Sequence, residues 1–88
     1  MTYHSPTAHH RHALAPDERL PSPMSDYDQV VHVTDGVLCI ALAEDDMVLL
    51  PGDSATIAAF EPHRIWNGGD ETARFETVAV LPALRAAA

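Results

Sequence analysis

Short apolar runs separated by turn-forming residues fill the chain from Gln29 onward, and their length limits what the chain can fold into. Each run is long enough for one β-strand and too short for a packed helix. Turn residues recur about every 8–12 residues, which is typical of β-sandwiches and barrels. The predicted strands lie in 29–43, which Thr-Asp-Gly divides, and in 47–50, 55–59, 63–67 and 73–81. The pattern predicts an all-β protein.

The chain has 88 residues, which is enough for one small domain. We predict a flexible or swapped N-terminal arm at 1–13, a single barrel at 14–81 and a C-terminal tail at 82–88. The arm is polar and histidine-bearing, and the tail is alanine-rich. A core of this size is marginal, and pairing with a second copy would bury more apolar surface. We therefore expect a homodimer.

The charge of the chain excludes several classes of partner. The net charge is −8 and lysine is absent. Nucleic acids and anionic membrane surfaces both demand clustered positive charge, so neither is an expected partner. No run approaches the ~18 apolar residues of a membrane span, and the single cysteine, Cys39, excludes an internal disulfide. We expect a cytoplasmic protein whose partner is a small molecule.

His63 lies in a predicted strand whose alternation indicates where its side chain points. Successive strand residues face opposite sides, so His63 shares a face with Ile65 and Asn67 but not with Arg64 or Trp66. Arg64 is easier to place in solvent than in a core, which puts His63 inside. Trp66 then faces outward, where a large apolar ring suits a subunit contact. The alternative is that His63 is a core histidine without a function.

The spacing around His63 resembles the second signature of the cupin superfamily, G-x5-P-x-G-x2-H-x3-N. Its first glycine, its histidine and its asparagine are present as Gly52, His63 and Asn67. Ala58 and Phe60 stand at the positions of its proline and inner glycine. The resemblance implies an all-β cupin-type double-stranded β-helix, that is, a jelly-roll barrel.

The first cupin signature, G-x5-H-x-H-x3-E-x6-G, also fits the chain without a gap. It starts at Asp17 and ends at Gly36, which is the one signature residue that is kept. The two frames together cover 17–67, and the similar hydrophobic pattern continues to about Val80. The matched spacing of both signatures supports the resemblance better than either signature would alone.

The resemblance also implies that the metal site of this family is lost. In metal-binding cupins, two histidines and a glutamate of the first signature join the histidine of the second around one divalent ion. These positions hold Pro23, Ser25, Gln29 and His63 in this chain. Proline has no side-chain donor atom, and neutral serine and glutamine are poor ligands for iron, manganese or zinc. We expect no metal cofactor.

The N-terminal histidines offer an alternative set of metal ligands. His4, His9, His10 and His12 lie in the predicted arm, and His10 and His12 form an H-x-H pair. Asp26 or Asp28 would then supply the carboxylate. Placing the pair in the first signature requires a long insertion, and a histidine-rich tract is more often a solvated tail.

The resemblance places a small-molecule site inside the barrel. His63, Ser25 and Gln29 would converge in the cavity, and Asn67 would lie near one rim. Apolar walls would come from Val31, Ile65, Cys39, Val33 and Phe75. Apolar walls with a few placed polar groups are typical of small-molecule sites, and an interior histidine is a candidate general acid or base.

Three functions are compatible with this site. The first is a metal-independent cupin that binds a small, largely apolar metabolite and catalyses an isomerisation, cyclisation or dehydration with His63. The family resemblance implies this type, since several relatives in natural-product pathways and sugar isomerisation belong to it. The second is a ligand-binding or regulatory cupin without turnover, and the third is a metal-dependent oxygenase or hydrolase with non-standard ligands. We favour the first, although fold alone does not set function.

Overall fold

Two four-stranded antiparallel sheets face each other in a computed structural model that describes residues 7–21 and 25–80. Sheet I has the strand order β1-β8-β3-β6, and sheet II has the order β2-β7-β4-β5. The strands are β1 (Thr7–Leu14), β2 (Arg19–Leu20), β3 (Asp28–Asp35), β4 (Leu38–Leu42), β5 (Asp46–Leu49), β6 (Ser54–Ile57), β7 (His63–Asn67) and β8 (Ala73–Val80). The predicted all-β jelly-roll architecture is confirmed.

The core lies between the two sheets and follows from strand alternation. In β8, Ala73, Phe75 and Thr77 are buried, while Arg74 is exposed and Glu76 is half-buried on the outer face. Strands β5, β6 and β7 show the same alternation. The buried apolar cluster consists of Leu14, Val31, Val33, Leu38, Ile40, Leu49, Ile57, Ile65, Ala73 and Phe75. In the part of the chain that the structure describes, no helix is long and apolar enough to cross a membrane.

The turn around Gly36 links the sheets and does not close a hairpin. β3 pairs with β6 and β8, whereas β4 pairs with β5 and β7. Gly36 has a φ of 78°, and a Cβ at this position would lie 2.7 Å from the carbonyl oxygen of Thr72. Only glycine fits this crossing without strain.

The structure corrects the boundary of the predicted N-terminal arm. β1 pairs with β8 of the same chain over its whole length, from Thr7 opposite Val80 to Leu14 opposite Ala73. Residues 7–13 therefore form part of sheet I and are not a loose arm, while exchange of this strand between two copies stays a prediction. Histidines at the inward positions of this strand conceal the apolar alternation by which strands are recognised. Residues 1–6 and the predicted tail at 82–88 lie outside the described part of the chain.

The backbone keeps the turn conformations of both cupin signatures. Among the described residues, φ is positive at Asp17 (66°), Gly36 (78°), Gly52 (94°) and Phe60 (63°). These are the four positions at which the two signatures place glycine. Residues with a side chain rarely adopt a positive φ. The positive φ at Asp17 and Phe60 therefore supports the alignment of the two signatures with this sequence.

Candidate functional site

A cavity of about 190 Å³ lies between the sheets and contains His63. Ligand pockets usually enclose about 300–1,000 Å³, so this cavity suits a small ligand. Sheet I contributes one wall and sheet II the other, and the segment between β2 and β3 adds polar groups. The lining residues are His10, His12, Gln29 and Thr77 from sheet I, Leu20, His63 and Ile65 from sheet II, and Pro21, Ser25 and Tyr27.

His63 opens strand β7 and is held by a backbone group that fixes its tautomer. Its Nδ1 lies 3.0 Å from the carbonyl oxygen of Glu61. A carbonyl oxygen only accepts, so Nδ1 carries the proton and Nε2 of the neutral ring carries the lone pair. No other described residue forms a hydrogen bond with this ring. Nε2 is therefore available to a molecule in the cavity.

Ser25 and Gln29 line the same cavity and are paired with each other. Nε2 of Gln29 donates to Oγ of Ser25 over 2.8 Å, which leaves the Ser25 hydroxyl hydrogen free to donate elsewhere. The backbone N–H of Phe60 donates to the Ser25 carbonyl over 2.7 Å. That of Ala59 donates to Oδ1 of Asp28 over 2.9 Å. These bonds tie the polar segment to the turn that precedes His63.

Strand β1 adds two histidines that the sequence prediction did not place in the site. The His12 ring stacks on Phe75 at a centroid distance of 4.9 Å, and its Nε2 lies 3.1 Å from Oγ1 of Thr77. The His10 and His12 centroids are 6.3 Å apart. Desolvation by burial, and then the neighbouring His10, lower the pKa of His12 from its ordinary value of 6.5. The sequence did contain a signal for this placement. Leu14 points into the core, and alternate residues of a strand share a face, so His10 and His12 lie on the same inward face.

Asn67 does not face the cavity, contrary to its predicted place at the rim. It is fully buried, and its Nδ2 donates to the carbonyl oxygens of Leu14 (3.0 Å) and Glu71 (2.6 Å). Its Oδ1 accepts from the N–H of Gly69 over 2.8 Å. Its polar atoms all have backbone partners, so Asn67 is a structural residue.

Four of the five predicted wall residues also lie elsewhere. Val31 and Val33 are fully buried in the core, and Phe75 is buried beneath the His12 ring, so none of the three lines the cavity. Cys39 lies on the outer face of sheet II, opposite Trp66 in the strand register and against the backbone of Gly68. Its neighbours Leu38 and Ile40 take the inward positions. Ile65 does line the cavity, as the sequence predicted.

The residues present do not fit the divalent ion of metal-binding cupins. Ser25 and Gln29 stand at two ligand positions, carry no charge and are hydrogen-bonded to each other. Pro23 lies outside the described residues. Within 7–21 and 25–80, no three His, Cys, Asp or Glu residues are grouped so as to hold a metal ion. Serine and glutamine at these positions offer hydrogen bonds to a ligand and are poor donors to a divalent ion.

A larger groove lies on the outer face of sheet II, and its chemistry differs. It encloses about 390 Å³ and is lined by Asp17, Arg19, Arg64 and Trp66. The predicted outward orientation of Trp66 agrees with this position. We regard the histidine cavity as the candidate site because polar groups with unused hydrogen-bonding capacity converge there.

Comparison with known proteins gives a consistent family and fold. A family model described as Cupin domain matches residues 6–81. A Cupin 2 conserved barrel domain protein from Salinispora arenicola is 16% identical, with a TM-score of 0.82 over 94% of this chain and 70% of that chain. No curated protein matches the chain in sequence.

Two further solved structures have similar folds. The Cupin_2 domain of an XRE family transcriptional regulator from Enterobacter cloacae is 22% identical, with a TM-score of 0.80 over 88% of this chain and 83% of that chain. A predicted oxalate decarboxylase from Thermotoga maritima is 20% identical, with a TM-score of 0.75 over 83% of this chain and 64% of that chain. At these identities the likeness is one of fold.

Proposed function

This chain belongs to the cupin family, and we propose that it binds a small, largely apolar metabolite in the histidine cavity and isomerises or cyclises it without a metal. His63 is the general acid–base. The observation that carries the proposal is the bond between Nδ1 of His63 and the Glu61 carbonyl, because it leaves the basic nitrogen of a neutral imidazole unused in a cavity.

The proposed reaction moves one proton. Nε2 of His63 removes a proton from the substrate and returns it to a different atom, so the atoms of the substrate are conserved and no oxidant or reductant is needed. The Glu61 carbonyl accepts from Nδ1–H throughout and keeps the ring oriented. The Ser25 hydroxyl, held by Gln29, donates to the oxygen on which negative charge develops.

The proton-transfer step can be tested by hydrogen–deuterium exchange at carbon. Tag-free, EDTA-treated protein is incubated in D2O with a panel of small ketones and 2-oxo acids, and the loss of C–H signals is followed by ¹H NMR. We expect His63→Ala to lower the exchange rate by about 10²–10⁴-fold, the usual contribution of a positioned acid–base group.

The matched control is His32→Ala. His32 lies on the outer face of sheet I, where its Nδ1 is 2.8 Å from Oγ of Ser54, so the exchange rate should not change. Exchange that survives in His63→Ala would remove the acid–base assignment. Exchange that requires added metal would favour the metal-dependent alternative with non-standard ligands.

A non-catalytic role is the second candidate. One structural neighbour is the cupin domain of a transcriptional regulator, which favours a ligand-sensing function for the same cavity. In that case His63→Ala lowers the affinity for a ligand, and the wild-type protein exchanges no proton of that ligand with solvent.

A further inference from the structure

Among the described residues, those that line the histidine cavity include hydrogen-bond donors and no carboxylate. The chain has 13 acidic residues, but none of the described ones lines this cavity. Glu76 faces outward, 3.2 Å from Nε2 of His9 and 3.3 Å from Nε of Arg11. The carboxylates of Asp28 and Glu61 accept backbone N–H groups of Ala59 and Ala58.

Strand β1 concentrates imidazoles on the wall that faces His63. His10 and His12 share the inward face of sheet I, with ring centroids 6.3 Å apart. Stacking on Phe75 and the contact with Thr77 hold the His12 ring in place. The pKa of His12 is lowered by burial and then by the electrostatic effect of the neighbouring His10.

We infer that the His10 and His12 end of the cavity binds the carboxylate of a small organic acid whose apolar part packs against Leu20 and Ile65. The inference rests on the proposed use of this cavity as the ligand site. The His10 N–H is suited to a carboxylate oxygen, as is the one donor that the His12–Thr77 bond leaves free, either the Thr77 hydroxyl or the Nδ1–H of His12. Bonds to an ionised acceptor are about twice as strong as neutral ones. His63 lies on the opposite wall and can act on the rest of the bound acid.

Benzoate and benzamide test the inference because they share an aromatic ring and differ in charge. Their dissociation constants are measured at pH 7 by amide chemical-shift titration of the tag-free, EDTA-treated full chain, with Ile65 and Thr77 as reporters. We expect benzoate to bind about tenfold more tightly than benzamide. His10→Gln and His12→Gln should each remove most of this preference and leave the affinity for benzamide within about twofold.

His9→Gln is the matched control, since His9 directly precedes His10 on the same strand but lies on the outer face beside Glu76. It should keep the preference for benzoate. His10 is exposed, so His10→Gln still gives the test if His12→Gln fails to fold.

Equal affinities for the two probes would overturn the inference without affecting the proposed function. The same conclusion follows if His9→Gln loses as much of the preference for benzoate as His10→Gln does. If neither probe shifts the reporter amides while carbon exchange still depends on His63, the inference alone fails. If exchange is unchanged in His63→Ala while benzoate binding depends on His10, the proposed acid–base role alone fails.

Discussion

Phe60 shows how one residue can keep a conformation that its side chain opposes. Its φ is 63° and its side chain is 66% exposed, so the ring gains little burial in return for a strained backbone. The backbone N–H of Phe60 donates to the Ser25 carbonyl, and this bond links the turn to the polar side of the cavity. The strained backbone of Phe60 therefore lies where its hydrogen bond helps to position Ser25 in the cavity.

Replacing Phe60 by glycine should stabilise the protein. Removing the side chain that opposes the left-handed conformation stabilises the fold by about 1–2 kcal/mol. The greater freedom of glycine in the unfolded chain destabilises the fold by about 0.4–1 kcal/mol. We expect a net gain of about 0.5–1 kcal/mol, or about 2–8 °C in the melting temperature. Thermal unfolding followed by circular dichroism measures it. Phe60→Ala keeps a Cβ and hence the strain, so an equal gain in that variant would contradict the explanation.

Individual residues also show where the sequence was sufficient for prediction. His63 alternates with an arginine that belongs in solvent, and its inward orientation could be predicted. Cys39 could not be placed in this way, because the run from Val37 to Ala43 is apolar at almost every position and its period cannot be read. Asn67 has the signature spacing, but spacing does not distinguish a ligand contact from a buried structural amide.

At the scale of elements, the spacing of apolar runs and turn residues predicted strands β3 to β8 but not which strands pair with each other. The Thr-Asp-Gly turn is a local signal, whereas the sheet that receives the next strand is decided by distant pairing. β1 was missed because histidines occupy its inward positions 10 and 12. The family signatures supplied the frame from 17 to 67, and that frame ends before β8 and begins after β1.

Asn67 joins elements that the sheets alone do not connect, and its removal should destabilise the barrel. Asn67→Ala leaves the carbonyl oxygens of Leu14 and Glu71 and the N–H of Gly69 without their partner. We expect a loss of about 2–4 kcal/mol in the free energy of unfolding. Urea denaturation measures the loss.

Arg64→Ala is the control for Asn67→Ala, because Arg64 lies on the same strand but is exposed on the outer face. Its effect should stay within about 0.5 kcal/mol. Equal losses in the two variants would mean that Asn67 does not anchor β1 and the β7–β8 turn.

At the scale of the whole molecule, the two faces of sheet II have different chemistry. The inner face supplies the cavity with His63 and Ile65. The outer face carries Trp66, which shares one groove with Asp17, Arg19 and Arg64. The outer groove is the surface on which a second copy of the chain could pack, and the homodimer stays a prediction.

The pH dependence of stability should reveal the cost of charging His12 inside the fold. Its pKa is lower in the folded protein than its ordinary value of 6.5, so the unfolded chain binds more protons as the pH falls. His12 therefore costs no stability above pH 6.5 and destabilises the fold progressively as the pH falls through the folded pKa. The net charge of −8 adds a separate dependence, since protonation elsewhere reduces repulsion.

Comparing wild type with His12→Gln separates the two effects, because both proteins share the same acidic residues. Between pH 8 and pH 5, the urea midpoint should fall more steeply with decreasing pH for the wild type than for His12→Gln. The stability of His12→Gln relative to the wild type should therefore increase at low pH. His9→Gln is measured alongside as a control for replacing an imidazole on the outer face of the same strand. Parallel curves for wild type and His12→Gln would show that His12 titrates in the fold as it does in the unfolded chain.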